Sequence, residues 1–368
     1  MALALYRKYR PSTFADMIGQ AELVSVLLNA AQRNKIAHAY LFYGPRGTGK
    51  TTAARILAKI VNCETRVADA KFHAQGEPCN TCRRCLTIDR GTALDVTEID
   101  AASNRGIDEI RALKESVHLA PSSFPYKVFI IDEAHQLTKE AWNALLKTLE
   151  EPPAHAIFIF ATTEYEKVPA TIISRTQRFH FKKPPLPEIL KKLSHIVAEE
   201  NLKISDDAIE LIAASAEGSF RDAESLLDQL TALSEKVTLE IVESIVGKVG
   251  FSRIAKLADA ILERDLSGAL ADVRTIESGG GNVAEAAKEL IHYFRRLLTI
   301  AADSRMLEIF KQELTDNEVK KIQEQSKRIR FDAHIPFLRA LIASWSDMRY
   351  SPFAAIPLEV TIIEHLKS

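Results

Sequence analysis

Short apolar segments alternate with longer amphipathic segments along the first half of the chain. The short segments are rich in β-branched and aromatic residues and predict strands, at Ala39–Tyr43, Val96–Ile99, Lys127–Ile131, Ile157–Thr162 and Arg178–Phe181. Between them, segments such as Ala21–Gln32 and Lys139–Glu150 follow the helical period. This alternation predicts an α/β domain over residues 1–182, in which helices cover a mostly parallel sheet.

The pattern changes at Lys182–Glu188, where closely spaced prolines disfavour both a helix and a central strand and predict a linker. Every element predicted beyond it is a helix. We expect a small all-α domain over residues 183–247, with Ser205 and Asp206 as candidate N-caps, and a second all-α domain over residues 248–368, interrupted at Ser278–Asn282.

Composition is that of a globular protein, with 46% hydrophobic and 26% charged residues in a chain of 368. The formal net charge of −1 means that any contact with nucleic acid must be made by a local patch. No apolar run approaches the roughly 20 residues that span a membrane. The apolar stretch at the start is too short for a signal peptide. We therefore expect a cytoplasmic protein with reduced thiols and no membrane partner.

A glycine-rich loop carries the strongest motif of the sequence. Its residues match G-x-x-x-x-G-K-[ST] between a predicted strand and a predicted helix, namely Gly44, Pro45, Arg46, Gly47, Thr48, Gly49, Lys50 and Thr51, followed by Thr52. Glycines let backbone N–H groups surround phosphate oxygens, and the helix N-terminus adds partial positive charge. Lys50 can reach the β and γ phosphates of ATP, and the Thr51 hydroxyl can ligate Mg²⁺.

Two carboxylates follow the most apolar predicted strand. Asp132 and Glu133 stand at its C-terminal end, where open α/β sheets bind ligands. We expect Asp132 to hold Mg²⁺ through its water shell and Glu133 to act as general base on the attacking water. Together with the loop, this pair predicts ATP hydrolysis in addition to ATP binding.

All four cysteines of the chain lie in one stretch, at Cys63, Cys79, Cys82 and Cys85. Four thiolates suit a tetrahedral structural Zn²⁺ site without an open position, so we predict a zinc module at about residues 62–90. The residues between the first two cysteines, 64–78, are expected to form a protruding loop. The alternatives are an iron–sulfur cluster, because C-x2-C-x2-C also occurs there, and unliganded or disulfide-bonded cysteines.

Several motifs together carry a resemblance to a known family. These are RKYRPSTFADMIGQ, GPRGTGKTT, the cysteine cluster, IDEAHQLTKEAWNALLKTLEEPP, IFATTE and GSFRDAESLLDQ. They resemble the gamma/tau subunits of the bacterial DNA polymerase III clamp loader, which are AAA+ ATPases. The resemblance is dense over the predicted ATPase core and the domain that follows it, and looser after Phe251. In that family the first cysteine spacing is usually shorter.

The resemblance implies roles for residues that the local patterns do not single out. Thr163 falls at the sensor-1 position, and Arg221 at the sensor-2 position of the lid domain. Arg175 falls at the arginine that reaches the ATP site of a neighbouring subunit. Thr176 stands where the family usually has cysteine, but the arginine still supplies the charge. The segment containing Tyr9, Arg10, Pro11 and Ile18 is expected near the adenine.

The resemblance also implies partners: other clamp-loader subunits (further copies of this chain, and subunits of the delta and delta-prime type), the sliding clamp and primed DNA. It implies a location at replication forks in the nucleoid. The C-terminal helices, such as Val283–Leu298 and His334–Trp345, are expected to form the oligomerisation collar, with a self-contained bundle as the alternative. Arg105 and Gly106 are candidates for a contact between a helix N-terminus and DNA phosphate, or for an ordinary surface cap.

The sequence therefore predicts an ATP-hydrolysing motor subunit that places a sliding clamp on primed DNA, with ATP, Mg²⁺ and Zn²⁺ as cofactors. One alternative is another AAA+ nucleic-acid motor, which would lack the cysteine insert. The other is a non-hydrolysing structural subunit of the same loader, which would have a degraded phosphate loop.

Overall fold

The computed structural model describes residues 3–104, 106–278, 282–311, 313–348, 350–351, 353 and 355–367. They divide into two compact units. The first contains Tyr6–Pro184 together with Ser219–Arg221. The second contains the described residues within Met1–Leu5, Pro185–Gly218 and Asp222–Ser368. In these ranges no helix has both the length and the apolar character needed to cross a membrane.

A five-stranded parallel sheet forms the centre of the first unit. Its strands, in chain order, are β1 Ala39–Tyr43, β2 Val96–Asp100, β3 Lys127–Asp132, β4 Ala156–Thr162 and β5 Gln177–His180. Their spatial order is β2-β3-β4-β1-β5. The register places Ala39 opposite Phe158, Tyr40 opposite Gln177, and Asp100 opposite Asp132. The predicted parallel α/β core is confirmed, and each strand begins and ends within one residue of its predicted bounds.

Helices cover both faces of this sheet. The helices in this part of the chain are α1 Leu5–Lys8, α2 Ala21–Gln32, α3 Lys50–Asn62, α4 Glu64–Ala68, α5 Ala70–His73, α6 Arg83–Asp89, α7 Ile107–His118, α8 Lys139–Glu150 and α9 Ala170–Ile173. Tyr40 and Phe42 of β1 pack with α2 and α3, whereas Ala39 and Leu41 pack in the cluster that contains α7 and α8. Because both faces are buried, the central strands are apolar throughout instead of alternating with polar residues.

The second unit is mainly helical. Its helices are α10 Leu186–Glu199, α11 Asp206–Ser215, α12 Phe220–Leu233, α13 Leu239–Val246, α14 Phe251–Leu262, α15 Leu266–Ser278, α16 Val283–Ala302, α17 Leu307–Phe310, α18 Asp316–Ser326, α19 Phe331–Met348 and α20 Ala355–Lys367. A continuous apolar core joins α14, α15, α16, α18, α19 and α20. Asn282 caps α16 by accepting hydrogen bonds from the Ala284 and Glu285 N–H groups.

The structure corrects three predictions. The domain expected to be all-α contains a two-stranded parallel ladder, β6 Lys203–Ile204 with β7 Lys236–Val237. The expected linker ends early, at Pro185, which is the N-cap of α10. Pro187 lies in the first turn of this helix, where a proline is tolerated because its missing N–H would have no partner. The expected protruding loop at 64–78 instead forms α4 and α5. Its buried Arg66 donates to the Ala31 carbonyl O of α2, so part of the insert packs against the unit.

Asp95, just before β2, accepts three backbone hydrogen bonds, from the N–H groups of Ser122, Ser123 and Phe124 at 2.7, 2.8 and 2.9 Å. Burial alone would raise the pKa of this carboxyl, but these donors stabilise the carboxylate and the net pKa lies below its usual value. The carboxylate therefore stabilises the turn that leads into β3 above the unfolded-state pKa, and this stabilisation is lost as pH falls through the lower folded-state pKa.

We expect Asp95→Asn to reduce the free energy of unfolding of this unit by about 2 kcal/mol at neutral pH, the scale of a lost charged hydrogen bond. The measurement is denaturant unfolding followed by Trp142 fluorescence in a Trp345→Phe background. The difference from the parent should shrink as the acid form of Asp95 becomes populated. A difference that is independent of pH down to the folded-state pKa would contradict this role of the carboxylate.

Candidate active site

The loop at residues 44–49 joins β1 to α3 and is closely enclosed. A Cβ on Gly44, which has φ 143°, would lie 2.1 Å from the carbonyl O of Phe181. A Cβ on Gly47, which has φ 73°, would lie 1.9 Å from the Oγ of Ser219. Side chains are excluded at both positions, so the backbone N–H groups of the loop can be directed at a ligand at the start of α3.

The remaining loop residues differ in exposure. Thr48 is buried, and its Oγ1 donates to the Pro45 carbonyl O at 2.9 Å. Arg46 is exposed, and Thr52, in the first turn of α3, is half-buried. The internal hydrogen bond of Thr48 stabilises the turn, while Arg46 is free to meet solvent or a ligand.

Lys50, the first residue of α3, is only 6% exposed. Its ammonium donates to the carbonyl oxygens of Gly44 and Pro45 at 2.9 and 2.7 Å. Burial lowers the pKa of Lys50, while the nearby Glu133 and Asp132 carboxylates oppose that shift. The cation is thus held at the point where phosphate would enter, and it is paired only with neutral carbonyl groups.

Carboxylates from the end of β3 meet this loop. The Thr51 Oγ1 donates to Asp132 Oδ2 at 2.6 Å, and Asp132 Oδ1 accepts from the Glu133 N–H at 2.9 Å. Glu133 has a left-handed backbone with φ 46°. Its Oε2 accepts from the Thr163 Oγ1 at 3.1 Å. The predicted residues of three separate segments therefore form one hydrogen-bonded chain beside Lys50.

His135 joins this chain, although its role was not predicted. Its side chain is 5% exposed, and its Nδ1 lies 3.0 Å from Thr162 Oγ1 and 3.4 Å from Glu133 Oε2. Its Nε2 lies 3.2 Å from Glu164 Oε1. The only signal in the sequence was the position of this histidine two residues after Glu133, and that spacing alone does not indicate a contact.

Further basic side chains lie on the N-terminal side of the unit. The guanidinium carbon of Arg221 lies 5.2 Å from the centroid of the Tyr6 ring. Burial and the neighbouring Arg55 cation lower the pKa of Arg10, and Arg221 adds to this effect. Arg55, in α3, makes a two-pronged ion pair with Glu98 of β2, with N···O distances of 2.7 Å. Arg221 and Arg10 are therefore two like charges that lie near one another.

The N-terminal segment, which we define as residues 9–20, approaches the phosphate loop. A Cβ on Gly49 would lie 3.0 Å from the Met17 Cε. Tyr9, Pro11 and Ile18, the other predicted adenine contacts, are half-buried. The segment therefore lies beside the loop, within reach of a base attached to a triphosphate bound there.

Arg175 lies near the amino-terminal ends of the strands, whereas the phosphate loop lies at their carboxyl ends. It precedes β5, whose first residue Gln177 pairs with Tyr40, near the start of β1. About 13 Å of strand separates that level from the phosphate loop. Its guanidinium contacts Glu150 Oε1 and the Thr171 carbonyl O at 2.5 and 2.7 Å, in an open cleft of about 700 Å³. Arg175 is therefore not part of the phosphate site of its own chain.

Thr176, at the position where the resembled family usually has cysteine, has a satisfied side chain. Its Oγ1 donates to the carbonyl oxygens of Ile172 and Ile173, at 3.1 and 3.3 Å. Thr176 is thus hydrogen-bonded to the last turn of α9, and the adjacent Arg175 stays at the surface.

The four cysteine Sγ atoms lie within 4.8 Å of one another. All four are free thiols, and Cys63 and Cys85 are buried. The N–H groups of Cys79, Cys82 and Cys85 donate to the Sγ atoms of Cys63, Cys79 and Cys82 at 3.2–3.5 Å. A tetrahedral Zn²⁺ with Zn–S bonds of about 2.3 Å requires sulfur atoms about 3.8 Å apart. The donor set fits such an ion, and the arrangement shows no disulfide.

The environment divides the thiols into two kinds. Burial raises the pKa of Cys63 and of Cys85. Burial also acts to raise the pKa of Cys79, but hydrogen bonds from Thr65, Thr81 and nearby N–H groups lower it to about 5. Cys79 is therefore stabilised as a thiolate, the form in which cysteine binds metal.

The candidate contact with DNA phosphate is only partly described. Gly106 is the N-cap of α7, whereas Arg105 lies outside the described residues.

Comparisons with known proteins assign the chain to a family. The family model of the DNA polymerase III delta subunit matches residues 19–185. The family model of the clamp loader ATPase lid domain matches residues 188–236, and that of domain III of the gamma and tau subunits matches residues 237–367. The tau subunit of DNA polymerase III from Bacillus subtilis is 42% identical over 98% of this chain. The chain belongs to the gamma/tau family of DNA polymerase III subunits.

This gamma/tau family member spans 62% of the Bacillus subtilis subunit and 55% of the Escherichia coli tau subunit, to which it is 34% identical over 98% of its own length. Among solved structures, the Thermotoga maritima RuvB branch migration motor aligns with a TM-score of 0.45 and 21% identity, over 75% of this chain and 86% of that chain. That likeness is too low to carry a functional argument.

Proposed function

We propose that this chain is an ATP-hydrolysing motor subunit of a clamp loader, which places a sliding clamp on primed DNA during replication. The observation that carries the proposal is the hydrogen-bonded chain from Thr51 through Asp132 and Glu133 to Thr163, beside a buried Lys50. Membership in the gamma/tau family supports the same function.

The proposed reaction begins with the phosphate loop. Backbone N–H groups of residues 44–52 bind the phosphates, and the Lys50 ammonium leaves its two carbonyl acceptors for phosphate oxygens. Thr51 and Asp132 would hold Mg²⁺, which supplies neutralising charge to the phosphates when bound. Because the Thr51 hydroxyl already contacts Asp132 at 2.6 Å, both ligands lie within reach of one ion.

Glu133 is the proposed general base. It accepts a proton from the attacking water as the water oxygen bonds to the γ phosphorus and the bond to the bridging oxygen breaks. The contacts from Thr163 and His135 to Glu133 Oε2 orient the carboxylate. Thr163 thereby serves as the sensor-1 residue, joining the γ-phosphate position to the base.

Arg175 is proposed to act on the ATP of a neighbouring subunit, and Arg221 on the ATP of its own chain. Arg175 lies at the ends of the strands opposite the phosphate loop, and this location supports action in trans. An arginine this far from the phosphate loop of its own chain can reach a bound ATP only in a neighbouring subunit. Arg221 and the N-terminal segment containing Tyr9, Arg10, Pro11 and Ile18 complete the proposed nucleotide site.

For the domains we propose an ATPase core at 1–182 with a zinc module at 62–90, a lid at 183–247 and an oligomerisation collar at 248–368. The proposed partners are further copies of this chain, subunits of the delta and delta-prime type, the sliding clamp and primed DNA, at replication forks in the cytoplasm. The presence of Lys50, Thr51, Asp132 and Glu133 together argues against the non-hydrolysing structural subunit. The cysteine insert argues against a different AAA+ motor.

The function is tested by measuring ATPase activity with partner subunits, then adding clamp and primed DNA. We expect stimulation for the parent. Glu133→Gln should bind ATP as the parent does but hydrolyse it at least about 100-fold more slowly, the usual size of a lost general base. Glu166→Gln is the matched control, because Glu166 is exposed at the same sheet edge. Hydrolysis that clamp and DNA leave unchanged would reject the loader function while retaining the ATPase.

Action of Arg175 in trans is tested by Arg175→Ala. Because an arginine finger contributes about 10³–10⁵ in rate, hydrolysis by the assembly should fall by about three orders of magnitude. ATP affinity of the isolated chain should stay unchanged. Arg33→Ala, at an exposed arginine, is the control. Loss of ATP binding in the isolated Arg175→Ala chain would refute the assignment in trans.

The metal assignment is tested by elemental analysis of the purified chain, where we expect one zinc per chain. Cys82→Ala should reduce the zinc content and the melting temperature, since structural zinc sites contribute folding free energy. Iron with visible absorbance above about 400 nm would instead support a cluster held by thiolates.

A further inference from the structure

The cysteine module, which we define as residues 63–89, contacts the N-terminal segment directly. Glu77, two residues before Cys79, uses both carboxylate oxygens for this. Its Oε2 accepts from the Phe14 N–H at 2.9 Å and its Oε1 from the Ala15 N–H at 2.8 Å. Two successive backbone donors bound by one carboxylate fix both the position and the direction of that part of the segment.

Lys59 makes a second connection between the same parts. It is 2% exposed, although its side chain carries a charge. Its Nζ donates to the Ser12 carbonyl O at 3.1 Å and to Asn80 Oδ1 at 2.6 Å, and it pairs with Asp89 Oδ1 at 3.0 Å. Ser12 belongs to the N-terminal segment, Asn80 and Asp89 belong to the module, and Lys59 itself belongs to the helix that begins at the phosphate loop.

This ammonium therefore joins all three parts of the unit at one buried point. A buried charge is tolerated only when its hydrogen-bond partners are in place. A displacement of the module would remove two of the three partners of Lys59, so the positions of the module and of the segment depend on each other.

The module also holds α2, which follows the segment without interruption. A Cβ on Gly76 would lie 3.0 Å from Gln32 Cγ and 3.1 Å from the Leu28 carbonyl O. Arg66 donates to the Ala31 carbonyl O from a buried side chain. The N-terminal segment is thus fixed by the module through residues 12–15 and through the helix beyond it, while its Met17 touches the phosphate loop.

We propose that the cysteine module positions the N-terminal segment for the base of the nucleotide, with Glu77 and Lys59 as the positioning residues, so that metal in the module and nucleotide in the active site stabilise each other. The inference rests on the proposed function, in which residues 9–20 meet the adenine. A module with short helices depends on its metal for order. When it is ordered, the segment no longer loses conformational entropy on nucleotide binding, and affinity rises.

Coupling of this kind is reciprocal, because two ligands that stabilise one arrangement must change each other's affinity by the same factor. Removing zinc from the parent chain with a zinc-selective chelator, at constant excess Mg²⁺, should weaken ATP binding about 10-fold, within the usual range of coupling between sites. Saturating ATP should tighten zinc binding by the same factor. Equal zinc affinity with and without ATP would overturn the proposal.

The positioning residue is tested with Glu77→Gln, and Glu64→Gln is the matched control. Glu64 lies in the same insert, next to Cys63, and pairs with Arg84 of the module. We expect Glu77→Gln to retain its zinc, to exchange amide hydrogens faster within residues 12–16, and to bind ATP about 10-fold more weakly. Inorganic tripolyphosphate, which needs only the phosphate loop, should bind Glu77→Gln and the parent equally. The control should match the parent in all four measurements.

Several results would overturn the proposal. One is a Glu77→Gln chain that keeps its zinc and binds ATP like the parent. Another is loss of zinc from Glu77→Gln, because Glu77 would then serve the folding of the module. A third is equal weakening of ATP binding and tripolyphosphate binding by Glu77→Gln, because the substitution would then act on the phosphate loop. If the parent chain bound no ATP at all, the proposed function itself would fail, and that result is distinct from these three.

Discussion

The hydrogen bond between Thr51 and Asp132 is the contact on which the candidate site depends. It joins the helix after β1 to the end of β3, two strands that are not neighbours in the sheet. The strand between them is β4, and Thr163 follows it directly. The insertion of β4 between β1 and β3 therefore brings three loops to one edge, as expected where strand order changes in an open α/β sheet.

Charge is distributed unequally between the two edges of this sheet. At the carboxyl ends of the strands Lys50 is buried, and the carboxylates of Glu133 and Asp132 favour its charged form. In the proposed reaction, phosphate entering there would meet a cation that is hydrogen-bonded to carbonyl groups, and a carboxylate already oriented by Thr163 and His135. At the opposite edge Arg175 is paired with the half-exposed Glu150. An exposed ion pair of this kind is weak, so it would oppose the proposed action of Arg175 on a neighbouring subunit only slightly.

The cysteine module is structurally integrated into the first unit. From the sequence, the insert at 64–78 was expected to form a protruding loop. Instead, Glu77 and Lys59 tie it to the N-terminal segment, and Arg66 ties it to α2. These are polar contacts made by buried or half-buried side chains, and they leave no hydrophobic periodicity in the sequence.

Local sequence determined the elements and the chemistry of the main motif. The central strands β1, β3 and β4 were predictable because burial on both faces makes them almost wholly apolar. The phosphate loop was predictable because glycine spacing and the flanking strand and helix are local properties. The positions of His135, Arg175 and Glu77 were decided only by the tertiary structure. Glu77 meets Phe14 across 63 residues of chain, and Thr163 meets Glu133 across 30. Contacts at such separations depend on strand order and on the packing of buried polar groups, and neither is encoded in the period of a single segment.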